Sequence, residues 1–379
     1  MLNVPNLRFP GFEENWKDYS IGSILKIGSG KDYKHLSEGD IPVFGTGGYM
    51  TSVNKYLLDG ETVCIGRKGT INKPFYFNGK FWTVDTLFFT YSFQNVIPKF
   101  VFYVFEQINW LKYNEASGVP SLSKTTIEQI LISIPNIKEQ QKIATLFSTI
   151  DDRIQTQNEI IEHLESLKKG FCQKIFSLEL RFKYFEDEDF PNWEKRKFSD
   201  VLFEHKLKST GVENVHSVSV HKGVINQIEH LGRSFSAKNT EHYSRALPND
   251  IIYTKSPTGD FPLGIIKQNH IKEDVILSPL YGVFTPETKE LGYLLHVYFE
   301  SPINTSNYLS SIVQKGAKNT INITNDTFLS KKLRLPISKV EQTKISNFLW
   351  SIDKKIETEK KLLGQYKSQK EYLLQNLFI

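Results

Sequence analysis

The chain has 379 residues, 39% of them hydrophobic and 13% aromatic, enough for two or three packed cores and too apolar for a disordered chain. It holds no apolar run of membrane-spanning length, and MLNVPNLRFPGF at its start lacks a charged-then-apolar leader, so a cytoplasmic protein with no membrane span is expected. The net charge of +5 is spread evenly, with 13 basic and 12 acidic side chains in residues 1–135 and 20 against 19 in residues 179–335, so charge alone announces no polyanionic partner.

After Asn15-Trp16-Lys17, the amphipathic stretch YSIGSILKI opens a first globular segment, residues 1–135. IPVFGTGGYM, ETVCIGRKGT, KPFYFNGKFW and TLFFTYSF join β-branched and aromatic residues to glycine turns, the pattern of short strands. A helix is expected from Pro98 to Trp110. GSGKD (Gly28 to Asp32) lacks the spacing of a phosphate-binding loop and reads as a turn. Cys64, and Cys172 further on, each stand alone among apolar neighbours and read as buried thiols.

The loop GVPSLSKTTIEQI leads to Pro135 and then Asn136-Ile-Lys-Glu139, a capping-box pattern that starts a helix across 136–178. Its apolar positions keep a 4-3 rhythm through Ile143, Phe147, Ile150, Ile154, Ile161, Leu164, Phe171 and Ile175. A period of 3.5 held over five heptads is a coiled-coil signature, and the helix should be about 55–60 Å long.

The second half repeats the first. Leu180-Arg181-Phe182 echoes Leu7-Arg8-Phe9, and Asn192-Trp193 echoes Asn15-Trp16, after an acidic EDED connection (Glu186 to Asp189) that reads as a solvated loop. The second globular segment, 179–335, opens on KFSDVLFEHK, continues with VHSVSVH, GVINQIEH, DIIYTKS, LGIIKQN and VILSPLYGVFTP as strands, and has a helix from about Thr288 to Glu300. KGAKNTINITNDTFL then leads to Pro336 and to Ser338-Lys-Val-Glu341, which opens the second helix, 336–379. Offset by 202, the two helices align without a gap, sharing Lys142/Lys344, Asp151/Asp353 and Lys168/Lys370 among other identities.

Polar residues interrupt both seams: Gln157 and Lys168 in the first copy, Glu359 and Lys370 in the second. A parallel pair would set lysine against lysine, whereas an antiparallel pair is expected to set Lys168 against Glu359 and Gln157 against Lys370. The fold class that follows is α+β: two domains of mixed α/β structure joined by two long antiparallel coiled-coil helices with pseudo-twofold symmetry.

Taken together, LRFPGF…NW, GTGG, IGRKGTINK and SLS…ISIPNIKEQQKI…ID, followed by SVSVHKGVINQ, SPLYGVF and LPISKVEQTKI…ID…LF, resemble the specificity subunit of type I restriction–modification systems over essentially the whole chain. The resemblance implies two target-recognition domains, each reading one half of a bipartite, asymmetric site on double-stranded DNA. It implies that the helices space the domains and dock two methyltransferase subunits, with restriction subunits in the full complex. S-adenosylmethionine would then belong to the methyltransferase partner, and this chain would bind no cofactor. Half-sites read from one side of B-DNA should lie about 34–36 Å apart or a multiple of it.

Chemistry of its own is not evident in the sequence. It has no GxSxG elbow and no aromatic-flanked Asn/Asp-Pro-Pro motif; His216 and His221 lack companions at metal spacing, so no catalytic or metal residue is assigned. Candidates for DNA contact are Thr46 and Tyr49 in GTGGYMTS, Arg67, Lys68, Lys73 and Lys80 around IGRKGTINK, and Ser121 and Lys124 in SGVPSLSK. In the second segment they are Arg233, Ser236, Lys238, Asn239, Tyr243, Lys255, Lys315, Lys318 and Asn319. Arginine, lysine and asparagine pair with base edges, and hydroxyls, amides and lysines hold phosphates. The competing class is a non-catalytic coiled-coil scaffold whose globular ends bind proteins.

Overall fold

The computed structural model describes residues 4–185, 188–232, 240–315 and 321–379. They form two compact units, Met1–Ile161 with Glu359–Ile379, and Glu162–Thr358, so each unit takes one part of both long helices.

In the first unit, strand β1 (Lys17–Ser20) runs into a single turn, α1 (Ile21–Ile24), and then β2 (Lys26–Ser29). The strands β3 (Glu38–Gly45), β4 (Gly48–Val53), β5 (Leu58–Gly66), β6 (Phe75–Thr83) and β7 (Leu87–Tyr91) complete a six-stranded sheet ordered β2-β7-β5-β6-β3-β4. Pairing is antiparallel except where β3 lies parallel to β6 through Val43–Trp82 and Phe44–Thr83. GSGKD is the end of β2 and the residues after it: a Cβ on Gly30 would lie 2.0 Å from the Val84 carbonyl oxygen, so close strand packing accounts for that glycine.

Helix α2 (Pro98–Gln107) is shorter than the expected Pro98–Trp110, because the chain turns out at Ile108 and Trp110 heads a separate 3-10 turn, Trp110–Tyr113. It buries Phe100, Val101, Tyr103, Val104 and Phe105 in the principal core of this unit. Helix α3 (Lys124–Gln129), capped by Ser123, leads into β8 (Leu131–Ile134), which pairs antiparallel with β1 and closes the globular segment where it began.

Helix α4 (Ile137–Phe176) follows at once, its first turn capped by Asn136 Oδ1, which accepts the Glu139 N–H at 3.0 Å. The Glu139 side chain does not fold back as a capping box would have it. It is fully buried and takes both arms of Arg8, each at 2.8 Å. Its neighbour Gln140 accepts the Ile97 N–H at the start of α2 and donates to the carbonyls of Asn95 and Pro135. Ile97 has no capping side chain of its own, and the long helix supplies one.

The second unit is built the same way. Strand β9 (Glu194–Lys197) precedes a 3-10 turn and β10 (Leu202–Phe203). The hairpin β11 (His216–Ser219) and β12 (Gly223–Asn226) stops where the Asn226 side chain caps Ile228 and Glu229, so GVINQIEH, expected as strand throughout, ends as helix α5 (Gln227–Leu231). Then come β13 (Ser244–Ala246), β14 (Ile251–Tyr253), β15 (Ile266–Gln268), β16 (Val275–Leu277) and β17 (Gly282–Pro286). The sheet order β10-β17-β14-β15 repeats the β2-β7-β5-β6 part of the first unit's sheet, again antiparallel, with β14 in the place of β5.

Helix α6 (Lys289–Tyr298), capped by Thr288, packs on that sheet, and α7 (Pro302–Leu309) follows. After the short strands β18 (Gln314–Lys315) and β19 (Ile321–Asn322), α8 (Asn325–Leu329) leads to β20 (Lys332–Leu335), which pairs with β9 as β8 pairs with β1. Helix α9 (Lys339–Leu377) repeats the anchoring: Glu341 accepts from Arg181 and from the Trp193 indole N–H, both at 3.1 Å, and Gln342 accepts from the Thr288 hydroxyl at 2.8 Å. The arginine of each echoed LRF motif therefore supplies a partner for the glutamate that begins each helix, and in the second unit the tryptophan of the NW motif supplies another.

The helices are antiparallel in both units. In the first, Phe147 meets Phe378 while Gln157 meets Glu359, so numbers rise along one helix as they fall along the other. In the second, Phe171 packs edge-on against Phe348, and Ile175 shares a cluster with Ile345. The expected layer pairing is not the observed one. Gln157 and Glu359 each stand near the middle of their helices, and an antiparallel alignment sets middle against middle. Gln157 accordingly donates to Glu359 at 2.6 Å. Lys168, about 16 Å further along α4, pairs with Asp353 and Glu300, both at 2.7 Å, and Lys370 pairs with Asp151 at 2.9 Å and Glu106 at 3.0 Å.

Candidate nucleic-acid interface

Five segments of the first unit come together around the end of β5. β5 ends at Gly66, and the next residues hydrogen-bond across to the turn between β6 and β7: the Arg67 and Lys68 N–H groups both donate to the Thr86 carbonyl. The same loop takes the segment before α3 on its other side, with Gly69 N–H donating to Pro120 and Leu122 N–H to Arg67, and Lys68 bridged to Ser121. The β3–β4 turn closes in from a third side, its Thr46 hydroxyl lying 3.7 Å from the Cβ position of Gly69. From the end of β2, Lys31 N–H donates to the Thr83 carbonyl at 2.8 Å.

This arrangement brings together Thr46, Arg67, Lys68 and Ser121 of the sequence candidates. Arg67 and Lys68 are exposed, while Thr46 and Ser121 are half-buried. The Arg67 guanidinium is held in place by the Asp85 carbonyl at 3.3 Å and lies 5.8 Å from the Phe88 ring, so part of its rotamer entropy is already lost. Tyr49 continues from the Thr46 turn into β4, 64% exposed, with its hydroxyl 3.1 Å from Ser52. Lys73 stands exposed in the β5–β6 loop, and Lys124 opens α3 with a loose ion pair to Glu128 at 3.6 Å. Lys80 lies elsewhere. It is opposite Asp59, near the other end of β5, with its ammonium over Tyr56 at 5.3 Å.

Lys31 and the Asp85–Thr86 turn were not among the sequence candidates. A lysine inside GSGKD was the available signal, but its place beside Thr83 follows from β2 lying next to β7, which no local pattern encodes.

In the second unit, Lys255 stands two residues beyond the end of β14, as Lys68 stands two beyond β5. It adopts a left-handed backbone (φ +57°) and is half-buried; burial lowers its pKa from the ordinary lysine value, and the charge of Glu204 opposes that. Glu204 accepts from Asn325, the first residue of α8, at 2.7 Å. Tyr243 lies before β13, where its carbonyl accepts the Ser209 N–H. Lys315 belongs to β18. Arg233, Ser236, Lys238, Asn239, Lys318 and Asn319 lie outside the described residues.

Cys64 and Cys172 are free thiols, and burial raises the pKa of Cys172 to about 12, which leaves it protonated at neutral pH. Among the described residues no group of His, Cys, Asp or Glu is arranged to hold a metal ion, and no helix is long and apolar enough to cross a membrane. What the turn cluster offers chemically is a set of backbone amides, hydroxyls and cations around one ordered guanidinium, the equipment for binding phosphates and a base edge.

Comparison with known proteins accords with this doubled architecture. The family model described as "Type I restriction modification DNA specificity domain" matches twice, over residues 13–166 and 192–366. The type I restriction enzyme MjaVIII specificity subunit of Methanocaldococcus jannaschii is 25% identical over 284 residues, 69% of this chain and 64% of that protein. The MjaIX specificity subunit of the same organism is 33% identical over 129 residues, 29% of this chain and 30% of that one. The chain thus matches less than two thirds of the length of these relatives. The crystal structure of the type I restriction–modification S subunit from M. genitalium shares the fold, with a TM-score of 0.67 over 99% of both chains at 16% identity. The chain belongs to the type I restriction modification DNA specificity family.

Proposed function

We propose that this chain is the DNA-specificity subunit of a type I restriction–modification enzyme. Each globular segment reads one half of a bipartite, asymmetric site on double-stranded DNA, and the two helices space the readers and dock two methyltransferase subunits. Restriction subunits complete the assembly in the cytoplasm. The chain itself is non-catalytic, and S-adenosylmethionine binds the methyltransferase partner.

The observation that carries this reading is the repeated frame with unlike surfaces. Both units share a four-strand antiparallel order and the same Arg–Glu and Gln anchors at the helix start. Yet Arg67-Lys68-Gly69 after β5 is replaced by Thr254-Lys255-Ser256 after β14. A common frame presents each reader alike, while different loops read different bases. Family membership supports the same conclusion.

Exchange of residues 1–135 for the corresponding segment of another family member tests it. Methylated sites mapped before and after should differ in one half only, with the other half and the gap retained. A change in both halves would contradict modular reading.

A further inference from the structure

We propose that Lys370 and Lys168 are positioning residues, each pinning a reader's own helix to the helix pair, and that these pins set how strictly the gap between half-sites is enforced. The inference rests on the reading of the two units as half-site readers.

Lys370 reaches from α9 to Asp151 of α4 at 2.9 Å and to Glu106 of α2 at 3.0 Å, so one ammonium joins three helices. Tyr103 of α2 donates its hydroxyl to the other oxygen of Asp151 at 2.9 Å. The second unit repeats the device with the helices exchanged. Lys168 of α4 meets Asp353 of α9 and Glu300, just beyond α6, both at 2.7 Å, and the Tyr293 hydroxyl donates to Asp353. The lysine side chains are only 15% and 12% exposed. Burial works against both ammonium groups, but their carboxylates prevail and raise both pKa values above the ordinary lysine value, so both pins are charged at neutral pH.

Apolar packing along a helix seam is non-directional and tolerates small sliding and rocking. A buried ion pair is different: its attraction roughly offsets its desolvation, so it adds little net stability, but it exists in one register only. The globular segments meet the long helices through apolar faces, with Phe100 of α2 against Phe378 and Leu294 of α6 in the cluster of Leu349. The pins are what such faces lack. Adding one base pair to a gap displaces a half-site by about 3.4 Å and turns it by about 35°. A reader free to rock by that amount would accept the wrong gap, and a pinned one would not.

The test uses the full chain in complex with its methyltransferase subunits and duplexes carrying both half-sites, with the gap changed by one or two base pairs. Wild type should lose about tenfold or more in affinity per base pair of change, the scale of an ordinary mismatch. Lys370→Met, and the neutral set Lys370→Gln, Asp151→Asn and Glu106→Gln (which avoids leaving buried acids without their cation), should keep the affinity for the correct gap. Their penalty for a one-base-pair change should fall below about threefold. Lys370→Arg should restore it. Unchanged gap penalties in the neutral set overturn the pins alone. A wild-type complex that selects no two-part site overturns the reading on which they rest.

Discussion

Gln157 donates its side-chain amide to the Glu359 carboxylate at 2.6 Å, and these two residues, 202 apart, are the same position of the two repeats. In an antiparallel pair of like helices only the middle layer faces its own equivalent, so this contact marks the centre of the seam. Both side chains are buried, at 5% and 7% exposure. Gln157→Leu removes a hydrogen bond that Glu359 accepts while buried and should cost about 1–3 kcal/mol. Replacing both by leucine should return stability to wild type or above it, because apolar packing substitutes well for a buried polar pair. Urea midpoints of the full chain measure this; a double variant weaker than the single one would contradict it.

The Arg8–Glu139 contact is expected to matter more than its counterpart in the second unit. Arg8 grips both oxygens of a fully buried carboxylate, so Arg8→Met should destabilise the first unit by about 3–5 kcal/mol. Glu341 keeps the Trp193 N–H when Arg181 is lost, so Arg181→Met should cost less. Amide exchange at Lys17–Ser20 and Leu131–Ile134 should quicken in the first variant. Equal losses in the two would show that the indole bond contributes nothing.

These contacts also mark what could be read from the sequence. The two helix starts follow from Asn136 and Ser338 with an acid three residues on, and the seams from the 4-3 rhythm. The role of Glu139 did not follow, because local rules relate residues a turn apart while its partner lies 131 residues away. The antiparallel direction was expected from the polar layers and is the one observed, but the pairings of Lys168 with Glu359 and Gln157 with Lys370 on which it rested do not form, because register depends on where the helices begin and end. At the candidate interface, the glycine-rich turns were legible one by one. Their convergence comes from the order β2-β7-β5-β6-β3-β4, which seats Thr46, Arg67, Lys68 and Ser121 together and brings Lys31 beside them.

The second unit should lose stability in acid in two stages. His296 is buried; its Nδ1 accepts the Gln268 N–H and its Nε2 faces Glu300, an arrangement that requires the neutral ring. Burial lowers its pKa, with Lys168 and Lys267 adding to the effect against Glu300, so the unfolded chain takes up a proton first and stability falls as pH drops below about 6.5. Glu300 behaves differently. Burial would raise its pKa, but the His296 hydrogen bond and the Lys168 and Lys267 charges hold it well below the ordinary glutamate value. Its contribution is complete above about pH 4.3, declines below that value, and is gone once pH has passed the depressed pKa of the folded state. Asp353, Tyr293 and His270 border the same cluster. Unfolding midpoints at pH 7.5, 5.5 and 3 should fall stepwise, and Glu300→Gln should flatten the lower step. A midpoint unchanged between pH 7.5 and 5.5 would rule out the His296 account.

At the turn cluster, arginine and lysine should behave differently. Lys68→Ala should weaken binding evenly across DNA sequences and lower the slope of log affinity against log salt by about one, as the loss of one phosphate contact does. Arg67→Ala should cost about 1–3 kcal/mol and relax one base position, because its guanidinium is already ordered by Asp85 and Phe88. Binding to randomised duplexes at two salt concentrations separates these effects. An Arg67 variant that weakens all sequences equally would reassign it to the phosphates.

The most direct measurement is selection from randomised duplexes by the complex of this chain with the methyltransferase subunits proposed for it, followed by sequencing of the bound DNA. Two unlike half-sites separated by a fixed, unread gap are the predicted result. A single contiguous site, a palindrome, or binding that responds to salt but not to sequence would contradict the account.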